Sequence, residues 1–192
     1  MVMGAIVPNS SITIKNVGIN PTRTGIIDVF KQAKIDFEIL NERKVSNELC
    51  ADIKVNYTKD IKPFEIKGEL VPRLIDEIPA LAVLATQAQG KSIVSNAKDL
   101  RNKESDRIKT IAEAFLSLGI EIQEKEDGFE ITGKAEIKKE AVLETHLDHR
   151  LAMSYFVLSL INKKEMKIKG FNCINTSFPE FMELVKILGY GK

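Results

Sequence analysis

Three stretches of the chain share one arrangement of apolar and polar positions. Ser11-Ile12-Thr13-Ile14-Lys15-Asn16, Ser92-Ile93-Val94-Ser95-Asn96 and Met166-Lys167-Ile168-Lys169-Gly170 each carry a short strand pattern. A polar loop follows each, then a helical pattern that ends near a Leu-Gly pair or its equivalent, as at Leu188-Gly189. Glycine after the last periodic residue is a helix stop signal. A second repeat precedes these strands. Leu74-Ile75-Asp76-Glu77-Ile78-Pro79-Ala80-Leu81-Ala82 is similar to His146-Leu147-Asp148-His149-Arg150-Leu151-Ala152-Met153, each with an aspartate just before an apolar helix. Met3-Gly4-Ala5-Ile6-Val7-Pro8-Asn9 sits where such a helix should end, so the chain is expected to begin inside a truncated first repeat.

The elements therefore alternate strand and helix, which defines an α/β (α+β) fold of about three βαβαββ-like units. Further strands are predicted at Asp36–Leu40, Asp52–Tyr57, Glu121–Lys125 and Phe129–Thr132, with Asp127-Gly128 as a hairpin turn. Glu126–Gly128 and Lys134–Glu140 are predicted surface loops. No flexible linker interrupts the pattern, so residues 1–192 are expected to form one domain.

Composition narrows the partners. The 192 residues are 44% hydrophobic and 29% charged, an ordinary globular balance. With 28 basic against 27 acidic residues the net charge is +1, which argues against a nucleic-acid partner. Any anion must be held by a local cluster. No apolar run is long enough to span a membrane, and the first residues lack the n- and h-regions of a signal peptide. Cys50 and Cys173 have no metal-like spacing and read as reduced thiols of a cytoplasmic protein.

Some charges stand where apolar residues or opposite charges would be cheaper. A helix predicted from about Lys103 to Leu118 has the stripe Ile108, Ile111, Ala112, Phe115 and Leu116. One turn back, that stripe meets Glu104 and Arg107, with Lys103 four residues before Arg107. Lys103 and Arg107, His149 and Arg150, and Arg23 after Asn20-Pro21-Thr22 place cations at three helix starts, the end that disfavours them. An anion would resolve that conflict. Singly, Asp76 and Asp148 read as helix caps and Glu104 with Arg107 as a surface pair. Together they read as one anionic-ligand site bearing carboxylates.

The segment Leu100-Arg101-Asn102-Lys103-Glu104-Ser105-Asp106-Arg107 resembles the Leu-Arg-Val-Lys-Glu-Ser-Asp-Arg signature of 5-enolpyruvylshikimate-3-phosphate (EPSP) synthases, departing only at Asn102. Asn16–Gly25, Leu74–Pro79, Asp148-His149-Arg150-Leu151-Ala152-Met153-Ser154 and Thr176-Ser177-Phe178-Pro179-Glu180-Phe181 are similar to the same family in order and spacing. The resemblance implies the second, C-terminal, of two three-unit domains that close on substrate. It also implies a missing N-terminal domain that carries the shikimate phosphate cluster. The implied reaction is transfer of enolpyruvyl from phosphoenolpyruvate to the 5-hydroxyl of shikimate 3-phosphate, with phosphate released and no metal or organic cofactor. On this resemblance Asp76 deprotonates the hydroxyl and Glu104 protonates the methylene carbon. Lys103 bridges the substrates, while Arg107, His149 and Arg150 hold phosphoenolpyruvate. Glu104, beside cations, must be partly desolvated to act as an acid. Some members carry a lysine where this chain has Thr176. The rival readings are the related UDP-N-acetylglucosamine enolpyruvyl transferase, which lacks the Lys-Glu-Ser-Asp-Arg motif, and a half that only binds anions or awaits a separate N-terminal chain.

Overall fold

A computed structural model describes residues 1–134, 136–137 and 139–190. The middle unit is complete: β4 (Glu65–Ile66), α3 (Ile78–Ala85), β5 (Lys91–Val94), α4 (Arg107–Ser117), β6 (Ile122–Lys125) and β7 (Gly128–Thr132). Its sheet order is β4-β5-β7-β6, with β4 parallel to β5 and the rest antiparallel. The unit before it contains α1 (Val2–Ile6), β1 (Ser11–Gly18), α2 (Gly25–Gln32), β2 (Phe37–Val45) and β3 (Glu48–Asn56), in the antiparallel order β1-β3-β2. The unit after it contains β8 (Ala141–Glu144), α5 (His149–Ser159), β9 (Met166–Lys169) and α6 (Phe181–Ile187), with β8 parallel to β9.

The first helix of each unit faces the centre. α3 packs against both α1 and α5 and is apolar almost all round, as a fully enclosed helix must be. Leu81, Val83 and Leu84 on α3 share the core with Phe30, Ile53, Ile108, Phe115 and Phe129. At about 25 cal/mol per Å² of apolar area, this common core is what holds the units side by side.

Three local expectations need correction. The helix read from Lys103 begins at Arg107, because the Asp106 carboxylate accepts the Lys109 N–H (3.0 Å) and caps it there. Leu116, placed on the stripe, is instead exposed. The β6–β7 turn is Glu126-Asp127, since Lys125 pairs with Gly128. Gly128 is needed for close approach: a Cβ there would meet the Val94 carbonyl oxygen at 1.9 Å.

Strands β2 and β3 run further than the alternation suggested, past a register shift between Leu40 and Arg43, to a turn at Ser46 and Asn47. Lys134, Glu136, Lys139 and Glu140 are exposed as expected, whereas Ala135 and Lys138 of that loop lie outside the described residues. No described helix is long and apolar enough to cross a membrane.

Candidate active site

The repeats bring the starts of α3, α4 and α5 to one place, and Arg107 is the hub. Its Nε donates to Asp148 Oδ2 (2.8 Å), Nη2 to Glu104 Oε2 (2.6 Å) and to Asp148 Oδ1 (3.4 Å), and Nη1 to Asp76 Oδ1 (3.4 Å). The guanidinium is 0% exposed. Read singly as half of a surface pair, Arg107 is instead fully enclosed. A guanidinium can be buried only when its N–H donors find acceptors, and three carboxylates supply them. Arg150 closes the network with Nη2 at 3.3 Å from Asp76 Oδ2 and Nη1 donating to the Asp76 carbonyl (3.4 Å).

The two aspartates differ in role. Asp148 caps α5: Oδ1 accepts the N–H groups of Arg150 (2.9 Å) and Leu151 (3.4 Å), and Oδ2 also accepts the Ser105 hydroxyl (3.2 Å). Burial alone would raise its pKa. The hydrogen bond and charge of Arg107, with the two helix N–H groups, outweigh that and hold the carboxyl below the ordinary aspartate range. Asp76 does not cap α3; Glu77 stands at that position, with no side-chain cap bond. The Asp76 carboxylate is spent on the two arginines and is 24% exposed. Glu77, which sequence reasoning passed over, is pushed above the ordinary glutamate range by burial and by the Asp76 charge, against the pull of Arg150 and Arg23. Its signal was adjacency: an acid next to Asp76 at a crowded helix start.

Lys103 lies on the loop before α4, not in its first turn; it is exposed and has no ion-pair partner among the described residues. Glu104 reaches Arg107 from the same loop and is 45% exposed at its side chain. His149 is the first residue of α5 and half-buried. Arg23 ends a short 3-10 turn, Pro21–Arg23, and that turn is tied down by Arg73, whose Nε donates to the Pro21 carbonyl (2.8 Å). The α4 cap is braced by Arg101, which pairs with Asp106 (2.9 Å) and Glu124 (2.9 Å) and donates to the Lys125 carbonyl (2.6 Å). Thr176 ends the turn before α6, its hydroxyl donating to the Cys173 carbonyl (2.7 Å). Asp76, Glu104, Arg107 and Arg150 are thus joined in one contact network, together with Asp148, which also caps α5. Among the described residues no group of three or more His, Cys, Asp or Glu side chains could hold a metal ion.

The repeated βαβαββ units have the enolpyruvyl transferase fold. The enolpyruvyl transferase NikO of Streptomyces tendae shares the fold, with a TM-score of 0.76 at 16% identity over 99% of this chain and 41% of that one. The chain belongs to the EPSP synthase family, whose model, described as EPSP synthase (3-phosphoshikimate 1-carboxyvinyltransferase), matches residues 1–185.

The 3-phosphoshikimate 1-carboxyvinyltransferase of Petrotoga mobilis is 48% identical over 96% of this chain and 42% of its own length. That of a Thermoanaerobacter species is 47% identical over 98% and 44%. The solved EPSP synthase of Acinetobacter baumannii matches with a TM-score of 0.92 at 37% identity, over 97% of this chain and 43% of that one. The chain therefore spans less than half the length of the relatives it matches.

Proposed function

We propose that the chain is the C-terminal domain of a 3-phosphoshikimate 1-carboxyvinyltransferase and supplies one half of its active site. The reaction moves the enolpyruvyl group of phosphoenolpyruvate to the 5-hydroxyl of shikimate 3-phosphate. The hydroxyl oxygen attacks C2 as C3 gains a proton; the adduct then returns a proton from C3 and expels phosphate. Asp76 takes the hydroxyl proton, and Glu104 delivers a proton to C3. Lys103 spans the two substrates. Arg107, Arg150 and His149 hold phosphoenolpyruvate, and the remaining part of the enzyme supplies the other wall.

The observation that carries this reading is the Glu104–Arg107–Asp76–Arg150 network. It places the two proposed proton-transfer carboxylates on opposite nitrogens of one guanidinium, at 2.6 Å and 3.4 Å. Proton transfer needs such positioned groups, and an anionic intermediate needs cations already in place. Arg107 is occupied by carboxylates in this state. Substrate therefore has to displace Glu104 or Asp76 from it, which moves those groups toward the reacting atoms. The free thiols of Cys50 and Cys173 fit a cytoplasmic setting.

Replacing Glu104 with Gln in the completed enzyme tests the assignment. The expected loss of turnover is on the order of 10²–10⁴-fold; near-normal turnover would refute it.

A further inference from the structure

Arg101 stands just before Lys103 and Glu104 in the chain, and its side chain faces away from both, toward the β6–β7 hairpin. Its Nε donates to the Glu126 carbonyl (2.8 Å) and its Nη1 to both oxygens of Asp106 (2.9 and 3.2 Å). Its Nη2 donates to Glu124 Oε1 (2.9 Å) and to the Lys125 carbonyl (2.6 Å). These contacts match the full set of N–H donors that a guanidinium carries in its rigid fork.

Local structure aims that fork. Lys98–Asn102 is a 3-10 turn, and the Ala97 N–H before it donates to the Asp127 carbonyl (2.8 Å). The tight winding of such a turn sends Leu100 into the core, at 0% exposed, and lets Arg101 cross to the hairpin. The result is a closed loop. Arg101 grips Asp106, the cap of α4, so Asn102, Lys103, Glu104 and Ser105 run between two residues that hold each other. The tip of the hairpin, Glu124 to Glu126, backs that grip. The first three residues of the loop are exposed.

Folding stability does not account for so many fixed contacts. The Arg101 side chain is 23% exposed, and those of Asp106 and Glu124 are 34% and 39%. Ion pairs this open to water add little to stability and cost side-chain freedom. What they fix is the course of the loop.

We propose that Arg101 is a positioning residue for the transfer reaction: by clasping Asp106 to the β6–β7 hairpin it sets where Lys103 and Glu104 meet the substrates. The inference rests on the roles proposed above for those two side chains. Arg107, His149 and Arg150 lie outside the closed loop, on α4 and α5, and Asp148 holds Arg107 independently. The clasp therefore governs proton delivery and the bridging of substrates, and leaves phosphoenolpyruvate affinity alone. A lysine cannot replace it, because one ammonium cannot span an aspartate and the hairpin carbonyls together.

Arg101→Lys is the test, in the chain completed with the unmatched portion of the Petrotoga mobilis relative. Turnover, kcat, should fall by about tenfold to a hundredfold. KM for phosphoenolpyruvate should stay within about twofold, and the urea midpoint should scarcely move. NMR of the variant should show lower order parameters for the Lys103 and Glu104 amides, with the Lys109 amide, which reports the Asp106 cap, unchanged. Glu124→Gln opens the same clasp from the exposed hairpin end, where folding is not at risk. It should lower kcat about threefold and add little to Arg101→Lys.

Native kcat in Arg101→Lys, beside a Glu104→Gln enzyme that has lost its turnover, would overturn the inference and leave the catalytic roles standing. Near-normal turnover in Glu104→Gln would instead remove those roles, and the inference with them. A raised KM, or a loss of kcat that only follows the loss of folded protein in both variants, would overturn the inference by making Arg101 a residue of the fold.

Discussion

Nε of Arg107 and Oδ2 of Asp148 lie 2.8 Å apart, and neither side chain is exposed. The pair ties the first turn of α4 to the cap of α5, so two of the helix starts that build the site are set by one contact. Removing one member of a buried pair strands the other charge in a low-dielectric interior. Asp148→Ala should therefore destabilise the chain by about 3–5 kcal/mol, read from the midpoint of urea unfolding. A loss below about 1 kcal/mol would mean that Arg107 finds equivalent acceptors without Asp148.

The same carboxyl sets an acid limit. Its folded pKa lies below that of an ordinary aspartate, about 3.9. A depressed carboxyl contributes its stability in full above the unfolded value and loses it as pH falls through the lower folded value. Stability of the native chain should drop as pH is lowered below about 4, and Asp148→Asn should flatten that part of the profile. Parallel acid slopes for the two proteins would assign the acid limit to other groups.

Two glycines separate packing from backbone conformation. Gly128→Ala drives a Cβ into the Val94 carbonyl and should cost about 3 kcal/mol or more, with the β6–β7 hairpin displaced. Gly119→Ala meets nothing within 4 Å but stands at φ 80°, and should cost only about 1–2 kcal/mol. Thermal unfolding of both variants would check the ranking; a reversed order would contradict the strand pairing described for β5 and β7.

On the roles proposed above, Glu104 would compete with phosphoenolpyruvate for Arg107. Glu104→Gln removes one negative charge 2.6 Å from the guanidinium. It should tighten phosphoenolpyruvate binding about fivefold, an effect of about 1 kcal/mol, even as it abolishes turnover in the completed enzyme. Titration by calorimetry or NMR measures this; weaker binding by the variant would mean that Glu104 supports the ligand and does not screen it.

The repeats were legible in the sequence because each unit reuses one strand, one turn and one helix stop. Ser11, Ser92 and Met166 do mark the three equivalent strands, or stand beside them. Arg107, His149 and Arg150 were legible as candidates because cations at helix starts are out of place, and the structure does put these three in the first turns of α4 and α5. What stayed hidden depends on distance along the chain. Asp148 stands 41 residues from Arg107, so their burial together left no local trace, and Arg107 read as exposed. The start of α4 was read four residues early because Lys103, Glu104 and Arg107 happen to fall at helical spacing. The capping bond of Asp106, a tertiary-braced contact, decides otherwise. Gly128 was read as a turn glycine because nothing in its neighbours announces the approach of Val94.

Phosphate release from shikimate 3-phosphate plus phosphoenolpyruvate tests the central claim most directly. It should be measured with the chain alone and with the unmatched portion of the Petrotoga mobilis relative added. A half-site should give no release alone and release on addition that Glu104→Gln abolishes. Release from the chain alone at a rate the addition does not change would contradict the shared site.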